Sequence, residues 1–344
     1  MPTAAPGPVP VPPSLLQVLR DGPAPLGADG SPPAGAPLRV ALVGPGDTAT
    51  ADRLEPELAA LGHQVTRWPR EGTRMGEWTG ADVAVALSPR AAWRVLALPD
   101  LGARALLLTA DEEARLGVSA ARTWTEQALR SGLHVLCAGE ALARRIHDRH
   151  GAAVTAFVPG VDPGYRALPT HRRADVVLLD APLELPWRGA ALALLAGREL
   201  HDRRPDLELA IARGPRGFSL PYPHLDLGPD DVAGDRALAY SGSTVGVVCA
   251  SGGLDPVVAE MLACGLPLVV LDDAAREAPP SLGLSAAQPD PLAIADAIEG
   301  LVDDLVARAE RSLAGVEWAA GHTWAAAAAG IDRGLRAALD GAGA

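Results

Sequence analysis

The stretch SGGLDPVVAEMLACGLPLVV, residues 251–270, joins a glycine-rich turn to a short helix and then to a buried strand. Asp255 is suited to cap the first free N–H groups of the helix, and Pro256 suits its first turn. The pattern predicts a helix over residues 256–264 that is apolar nearly all round. Glu260 is its only charge, and a carboxylate in such surroundings needs a hydrogen-bonding or charged partner. A turn, a helix and a strand in this order are typical of parallel sheets.

The same alternation of short apolar runs and helical patterns extends along the chain from this stretch. Strands are predicted in the apolar runs LRVALVGPG, HQVTRW, ADVAVALS, ARALLLT, HVLCAG, ADVVLLD, LELAIARG, VGVVCASGG and PLVVLDD. Among the helical patterns, one predicts a single helix over residues 291–313, and an Ala-rich helix is predicted over residues 324–339. Short buried strands that alternate with helices favour a parallel sheet covered on both faces.

The length of 344 residues is enough for two domains with separate cores. We therefore predict an α/β fold with two Rossmann-like domains and a cleft between them, linked near VPGVDPGYRALPTHRRA, where prolines and glycines interrupt the pattern. The predicted divisions are a disordered leader rich in Pro, Gly and Ala at 1–37, a first domain at 38–165, a second domain at 166–325, and a C-terminal helix and tail at 326–344.

The composition excludes several classes of function. The net charge of −12 argues against a broad surface for nucleic acid, so no nucleic-acid partner is expected. No apolar run is long enough to span a membrane and no signal peptide is evident, which predicts a cytoplasmic protein with at most peripheral membrane association. All thirty basic side chains are Arg, so no lysine is present for a Schiff base or a Walker motif. The three cysteines lie in apolar segments without metal-like spacing, and no metal site is predicted.

The turn formed by Ser251, Gly252 and Gly253 has two interpretations. A glycine-rich loop before a helix presents free N–H groups to an anion such as a diphosphate, but the same glycines also serve a plain strand-to-helix turn. Glu260 lies further along the helix, where its carboxylate is able to accept two hydrogen bonds from a ribose diol. Its alternative partner is an arginine in a buried salt bridge.

A second glycine motif follows the first predicted strand, where Gly44, Gly46 and Ala49 satisfy the G-x-G-x-x-A pattern of dinucleotide sites. Such a site requires an acidic residue at the end of the second strand, but that strand ends at Trp68 and is followed by Arg70. A tight turn is the competing interpretation. An NADP-linked reductase that uses Gly44, Gly46 and Arg70 is therefore kept as an alternative function.

Taken together, the motifs resemble a known family. VAEMLACGLPLVVLDD is similar to the segment with which the donor domain of retaining GT-B glycosyltransferases of the family 4 type binds a nucleotide sugar. LHVLCAGEALARRIHDRHGAAVTAFVPGVDPGYRALP resembles the passage between the two domains of that family. LTADEEA, EQALRSGLHVLCAG and EWAAGHTW resemble its WsaF-like rhamnosyltransferase subgroup. The likeness runs from residue 38 to residue 335, and it implies an acceptor-side first domain and a donor-binding second domain.

The resemblance implies roles for individual residues. Glu260 would hold the nucleotide ribose, and Arg188 would hold the diphosphate together with the backbone of the glycine-rich turn. That turn consists of Ser251, Gly252, Gly253 and Leu254. Three carboxylates are candidates for catalysis. Glu277 would lie close to the sugar, and Asp111 and Glu112 belong to the acceptor-side domain.

The sequence departs from the family pattern at three positions, the first of which is Arg188, where the family has a lysine. One cation of the family's basic pair is missing, because its position falls near Ala181 and Pro182. The first glutamate of the family's paired motif is replaced by Gly252. Cations at such a site stabilise the leaving nucleoside diphosphate, so the missing cation bears directly on catalysis.

The predicted function is transfer of a sugar, with rhamnose as the candidate, from a nucleotide diphosphate donor to a glycan or lipid-linked acceptor of polysaccharide biosynthesis. The nucleotide sugar is a substrate, and no cofactor is required. The main alternative is a degenerate GT-B protein that binds a nucleotide or a partner without catalysis, since a fold does not fix a reaction. The NADP-linked reductase is the second alternative.

Overall fold

The computed structural model describes most of the chain. The described residues are 17–18, 20–21, 35–44, 48–68, 78–111, 119–169, 175–182, 189–214, 219–228, 233–250 and 255–342. The chain divides into a first unit of residues 1–159 and 324–344 and a second unit of residues 160–323. Most of the predicted leader lies outside the described residues, but Val18 within it is buried in the core of the first unit. In the described part of the chain, no helix combines the length and the apolarity needed to cross a bilayer.

The first unit contains a parallel sheet of six strands flanked by helices. The strands are β1 (Arg39–Val43), β2 (Gln64–Trp68), β3 (Ala81–Ala86), β4 (Leu101–Leu108), β5 (His134–Ala138) and β6 (Val154–Phe157), in the spatial order β2-β1-β3-β4-β5-β6. The helices are α1 (Thr48–Ala60), α2 (Pro89–Ala97), α3 (Ala120–Leu129), α4 (Glu140–His150) and α11 (Trp324–Ala342). Because β2 and β3 lie on opposite sides of β1, the strand order reverses between β1 and β3.

Two apolar clusters form the core of the first unit. One contains Trp93 of α2 and Val135 of β5, and the other contains Leu136 of β5 and Leu335 of α11. Val135 and Leu136 belong to different clusters because successive side chains along a strand point to opposite faces of the sheet. The sheet is therefore covered on both faces, as the sequence pattern predicts.

Helix α11 approaches the first sheet through small residues. Gly330 and Gly334 lie one turn apart on the face of the helix that meets the sheet. A Cβ atom at Gly330 would come within 2.8 Å of the Cβ of Phe157, and one at Gly334 would overlap the side chain of Leu136. The absence of side chains at these positions lets the helix backbone lie close to the strands.

His63 connects α11 to the start of β1. Its Nδ1 accepts a hydrogen bond of 3.1 Å from the N–H of Leu38, so Nε2 carries the ring proton. Nε2 lies 3.0 Å from Oδ1 of Asp332 on α11, and Arg336 pairs with the same carboxylate. The C-terminal helix is therefore fixed to the first unit by polar contacts as well as by close packing.

The second unit contains a second parallel sheet of six strands. Its strands are β7 (Val176–Asp180), β8 (Glu208–Ala212), β9 (Leu225–Asp226), β10 (Val245–Val248), β11 (Leu268–Leu271) and β12 (Ser285–Ala287), in the spatial order β12-β11-β10-β7-β8-β9. Its helices are α5 (Ala190–Arg203), α6 (Ala233–Gly242), α7 (Pro256–Ala263), α8 (Asp272–Glu277), α9 (Pro291–Asp303) and α10 (Leu305–Ala320), with a 3₁₀ turn at Pro280–Leu282.

The strand order of the second sheet defines a switch point. From β7 the chain moves outward to β8 and β9, then returns to the other side of β7 with β10 and continues to β11 and β12. Open α/β sheets bind ligands at the carboxyl ends of the two strands where the order reverses. In this sheet those strands are β7 and β10, and α7 with Glu260 follows β10 directly.

Residues 291–313 do not form the single helix predicted from their periodicity. Helix α9 ends at Asp303 and α10 begins at Leu305, because the backbone of Asp304 leaves the helical conformation at φ −96° and ψ 88°. The side chain of Asp304 accepts a hydrogen bond from the N–H of Ala307 and so caps α10. The prediction was wrong because apolar periodicity continues across the break, whereas the cap starts a new helix.

Candidate functional site

Helix α7 has the caps that its sequence predicts and ends one residue earlier than predicted. Asp255 accepts a hydrogen bond of 3.1 Å from the N–H of Val257 at the first turn. At the other end, Gly265 adopts φ 71° and donates its N–H to the carbonyl of Leu262, as is typical of a helix terminus. The buried residues of the helix are Val257, Val258, Ala259, Met261 and Leu262.

Glu260 is partly buried on this apolar helix, with 24% of its side chain exposed. Its Oε2 lies 3.4 Å from Nη1 of Arg236 on α6, and the side chain of Tyr165 also hydrogen-bonds to it. Burial raises the pKa of Glu260, while Arg236, Arg213 and the hydrogen bond from Tyr165 act in the opposite direction. The arginine partner considered from sequence is therefore present, and the exposed fraction leaves the carboxylate accessible to a ligand.

A second ion pair lies at the carboxyl ends of β7 and β8. Asp180 is fully buried, and Arg213 donates Nε to its Oδ1 at 2.5 Å and Nη2 to its Oδ2. Burial alone would lower the pKa of Arg213, but the charge of Asp180 raises it, so the guanidinium stays charged. Arg213 also has φ 60°, a conformation uncommon for a residue with a side chain. The bidentate ion pair holds the guanidinium in place at this edge.

The hydroxyl of Tyr240 on α6 is close to both ion pairs. Its ring stacks on that of Tyr165, with centroids 6.0 Å apart and planes 19° apart. The hydroxyl is buried and makes no hydrogen bond to any residue that the structure describes. Burial, and then the charges of Glu260 and Asp180, raise its pKa. A buried hydroxyl group normally has a hydrogen-bond partner, so this one indicates a position that water or a ligand would complete.

The two loops of the switch point meet where the structure describes their ends. Gly189 precedes α5 with φ 68°, and a Cβ atom there would overlap the carbonyl of Cys249 after β10. In sequence, Gly189 follows Arg188 and Cys249 comes shortly before Ser251. The predicted donor-binding residues other than Glu260 lie outside the described residues, and their roles stay predictions. They are Arg188, Ser251, Gly252, Gly253 and Leu254.

The catalytic candidates belong to both units. Asp111 is buried after β4, and its Oδ2 lies 3.4 Å from Nε of Arg145 and 3.7 Å from Nη1 of Arg149, both of which belong to α4. Glu112 lies outside the described residues. Glu277 is half-buried at the end of α8, which begins directly after β11 in the same sheet as β10. A catalytic role for each of these carboxylates stays a prediction.

The glycine motif of the first unit has a packing explanation at Gly44. It adopts φ 105°, and a Cβ atom there would overlap the side chain of Ala91 on α2. The positive φ and the close packing agree with the tight turn considered from sequence as far as Gly44. Gly46 and Arg70, which the reductase alternative also needs, lie outside the described residues.

Comparisons with known proteins find similarity at the level of structure. No family model matches the chain, and no curated protein matches it. The chain is similar to sucrose-phosphate synthase from Thermosynechococcus elongatus, with a TM-score of 0.69, 13% identity, and coverage of 87% of this chain and 98% of that one. It is similar to WaaG, a glycosyltransferase involved in lipopolysaccharide biosynthesis, with a TM-score of 0.63, 12% identity, and coverage of 87% and 99%. The chain has the GT-B fold.

A third similar structure is TarM from S. aureus, in complex with fondaparinux, alpha-GlcNAc-glycerol and UDP. The TM-score is 0.59 at 11% identity, and the match covers 74% of this chain and 55% of that one. At such identities the likeness establishes the GT-B fold and leaves the activity to the residues of the site.

Sequence reasoning missed several charged and polar residues of this GT-B second unit. Asp180 ends one predicted strand and Arg213 follows the next, and carboxyl ends of neighbouring parallel strands meet at one edge, so their pairing had a detectable signal. Arg236 and Tyr240 are four residues apart on α6 and share a helix face. Nothing in their local sequence indicates that this face is buried against Glu260.

Proposed function

We propose that the chain is a glycosyltransferase that transfers a sugar from a nucleoside diphosphate donor. The observation that carries the proposal is Glu260, a partly exposed carboxylate on the helix after β10, at the switch point of the second sheet of a GT-B fold. The similarity to WaaG, which is named as a glycosyltransferase, and to TarM in complex with UDP supports this class of reaction.

In the proposed donor site, the Glu260 carboxylate accepts hydrogen bonds from the two ribose hydroxyls. The diphosphate lies at the N-terminal end of α7, where the N–H groups of the turn from Ser251 to Leu254, through Gly252 and Gly253, and the helix dipole favour negative charge. Arg188 is the cation proposed to assist them. As the bond to the sugar breaks, these groups stabilise the charge that develops on the leaving diphosphate.

The finer assignments extend the same proposal. They are membership of the family 4 type and its WsaF-like subgroup, a retaining mechanism, rhamnose as the sugar, and a glycan or lipid-linked acceptor of polysaccharide biosynthesis. Glu277 is proposed to lie close to the sugar, and Asp111 and Glu112 to act on the acceptor side. A cytoplasmic location with at most peripheral membrane association belongs to this proposal, whose support is the set of motifs VAEMLACGLPLVVLDD, LTADEEA and EWAAGHTW.

Nucleotide titration tests the donor class. UDP, dTDP and GDP are added separately, with NADP as the comparison, and the melting temperature is followed. We expect at least one nucleoside diphosphate to raise the melting temperature, since a ligand at one hundred times its Kd stabilises a protein by about 2.7 kcal/mol. Stabilisation by NADP alone would contradict the proposal and favour the reductase.

The variant Glu260→Ala tests the site. Hydrogen bonds to a charged group contribute about 1.5–3 kcal/mol, so nucleotide affinity should fall roughly tenfold to a hundredfold by calorimetry. Glu310→Ala, which removes an exposed carboxylate on α10, is the matched control and should bind as the wild type does. Unchanged affinity in Glu260→Ala would remove the ribose role.

A degenerate protein that binds nucleotide without transferring sugar is the second candidate. Ala181 is fully buried where the resemblance places a cation, and the nearby Arg213 is neutralised by Asp180. The missing cation and the paired arginine both leave less positive charge available to a leaving diphosphate. Turnover of nucleotide sugars with lipid and glycan acceptors decides between the candidates. Nucleotide binding with turnover at background would favour the degenerate protein.

A further inference from the structure

We propose that Arg236 and Tyr165 are positioning residues that hold the Glu260 carboxylate in one orientation and keep it ionised for recognition of the ribose diol. The inference rests on the proposed function, because it concerns how the same carboxylate meets a nucleotide. It adds two residues from elements other than α7, neither of which the sequence motifs single out.

The contact between Arg236 and Glu260 is electrostatic in character. Nη1 of Arg236 lies 3.4 Å from Oε2 of Glu260, which is long for a strong hydrogen bond. Both side chains are mostly shielded from water, with 20% and 24% of their surfaces exposed, so the attraction is screened less than on an open surface. Arg236 therefore favours the charged carboxylate while the exposed fraction of Glu260 remains available to hydroxyl donors.

Tyr165 connects the two side chains. Its ring centroid lies 5.5 Å from the guanidinium carbon of Arg236, within the range of a cation–π interaction. Its hydroxyl hydrogen-bonds to Glu260, which favours the charged carboxylate. The ring of Tyr240 stacks on the ring of Tyr165. Together these contacts restrict the rotation of Arg236 and of Glu260.

The segment that carries Tyr165 is itself fixed. The side chain of Asp162 accepts a hydrogen bond of 2.8 Å from the N–H of Gly164, and its carbonyl accepts one of 2.9 Å from the N–H of Tyr165. Further along the segment, the N–H of Leu168 donates a hydrogen bond to Oγ of Ser241, which lies in the last turn of α6. The tyrosine therefore reaches Glu260 from a segment anchored to the helix that carries Arg236.

The charges that face Glu260 come from several elements. Burial raises the pKa of Glu260, and Asp255 at the start of α7 raises it further. Arg236 on α6, Arg213 after β8 and the hydrogen bond from Tyr165 lower it. Removing Arg236 deletes the largest of the lowering effects, so the carboxyl would take up its proton at higher pH. A protonated carboxyl has a donor in place of one acceptor and pairs less well with two hydroxyl donors.

The test is nucleotide affinity as a function of pH. In the wild type, affinity should be complete above the pKa of Glu260 and fall as the pH drops through it. In Arg236→Met the fall should begin at higher pH, with a loss of roughly tenfold per unit of pKa change at a fixed lower pH, in addition to any loss from orientation that remains at high pH. Arg236→Lys should restore the wild-type profile in large part, and Tyr165→Phe should shift it in the same direction by less. Arg308→Met on α10 is the control for loss of an arginine.

Two results would overturn the inference. One is an Arg236→Met variant that weakens binding by the same factor at every pH, because a merely structural role predicts that result. The other result comes from a pH titration of the unliganded protein. The titration follows the ¹³C signal of the Glu260 carboxyl, which is assigned by its absence in Glu260→Gln. An unchanged midpoint in Arg236→Met overturns the inference. An upward shift supports it even if no nucleotide binds, in which case the proposed function fails separately.

Discussion

The two sheets have the same number of parallel strands, yet the α11 contact of the first unit and the strand ends of the second unit bury different kinds of group. In the first unit, α11 approaches the sheet closely where Gly330 and Gly334 face Phe157 and Leu136. This contact is made by apolar and small residues. It needs no charge, and its polar link through His63 lies at one end of the helix.

The second unit instead concentrates buried charge at one edge of its sheet. The pair Asp180–Arg213, the pair Glu260–Arg236 and the buried hydroxyl of Tyr240 all lie there. Apolar residues of similar volume usually stabilise a fold as well as a buried ion pair does. The difference teaches that the contact in the first unit depends on close apolar packing, whereas the second unit keeps buried charges, among them the carboxylate on which the proposed nucleotide site depends.

Breaking the buried ion pair should have the largest effect. Arg213→Met removes the bidentate partner of the fully buried Asp180, so the free energy of unfolding should fall by about 3–5 kcal/mol in urea titrations. Arg204→Met is the control, because Arg204 pairs with the largely exposed Asp206 and Asp303, and its loss should change stability little. A double variant with Asp180→Asn should recover part of the loss. Equal effects of Arg213→Met and its control would mean that the second unit does not depend on its buried charges.

Filling the glycine contact of the first unit should have the next largest effect. Gly334→Leu places a side chain where Leu136 and Thr155 already lie, so stability should fall by about 1–3 kcal/mol. Gly300→Ala on α9 is the control, since a Cβ atom there meets no other atom and alanine favours helix. The control should be neutral or slightly stabilising by calorimetry. A stable Gly334→Leu protein would show that the close approach of α11 is dispensable.

Two tyrosine variants should have the smallest effect on stability, and they form a matched pair. The hydroxyl of Tyr222 donates to the carbonyl of Leu194 at 2.8 Å, so Tyr222→Phe should lose about 1 kcal/mol of stability. Tyr240→Phe removes a hydroxyl without a described partner and should leave the unliganded protein as stable as before or more so. Weaker nucleotide binding by Tyr240→Phe would add its hydroxyl to the ligand site. A loss of stability in Tyr240→Phe equal to that in Tyr222→Phe would contradict the contrast between the two hydroxyls.

The parallel fold could be predicted from the sequence because each buried strand is a short apolar run and each connection carries a helical period. The caps of α7 at Asp255 and Gly265 were also predictable, because caps depend on residues that are close together in the chain. The break at Asp304 was not predicted, because an aspartate within an amphipathic pattern is also common on an exposed helix face.

The site was predictable only in part. The isolated charge of Glu260 on an apolar helix is visible in the sequence, but the choice of Arg236 as its partner depends on how α6 packs against α7. Asp180 and Arg213 are separated by 33 positions and meet only because β7 and β8 are neighbours. Contacts of this kind follow from the topology of the sheet, which local patterns do not specify.

The position of α11 also has a consequence for the order of folding during synthesis. The helix follows the second unit in sequence, yet it covers a face of the first sheet that includes Leu136 and Phe157. A ribosome must therefore translate the whole second unit, residues 160–323, before that face receives its helix. The second unit is continuous in sequence and is able to complete its core first, so we expect the N-terminal half of the protein to reach its final structure last. A nascent chain arrested before Trp324 would expose an apolar sheet face, which makes it a substrate for chaperones and prone to aggregation.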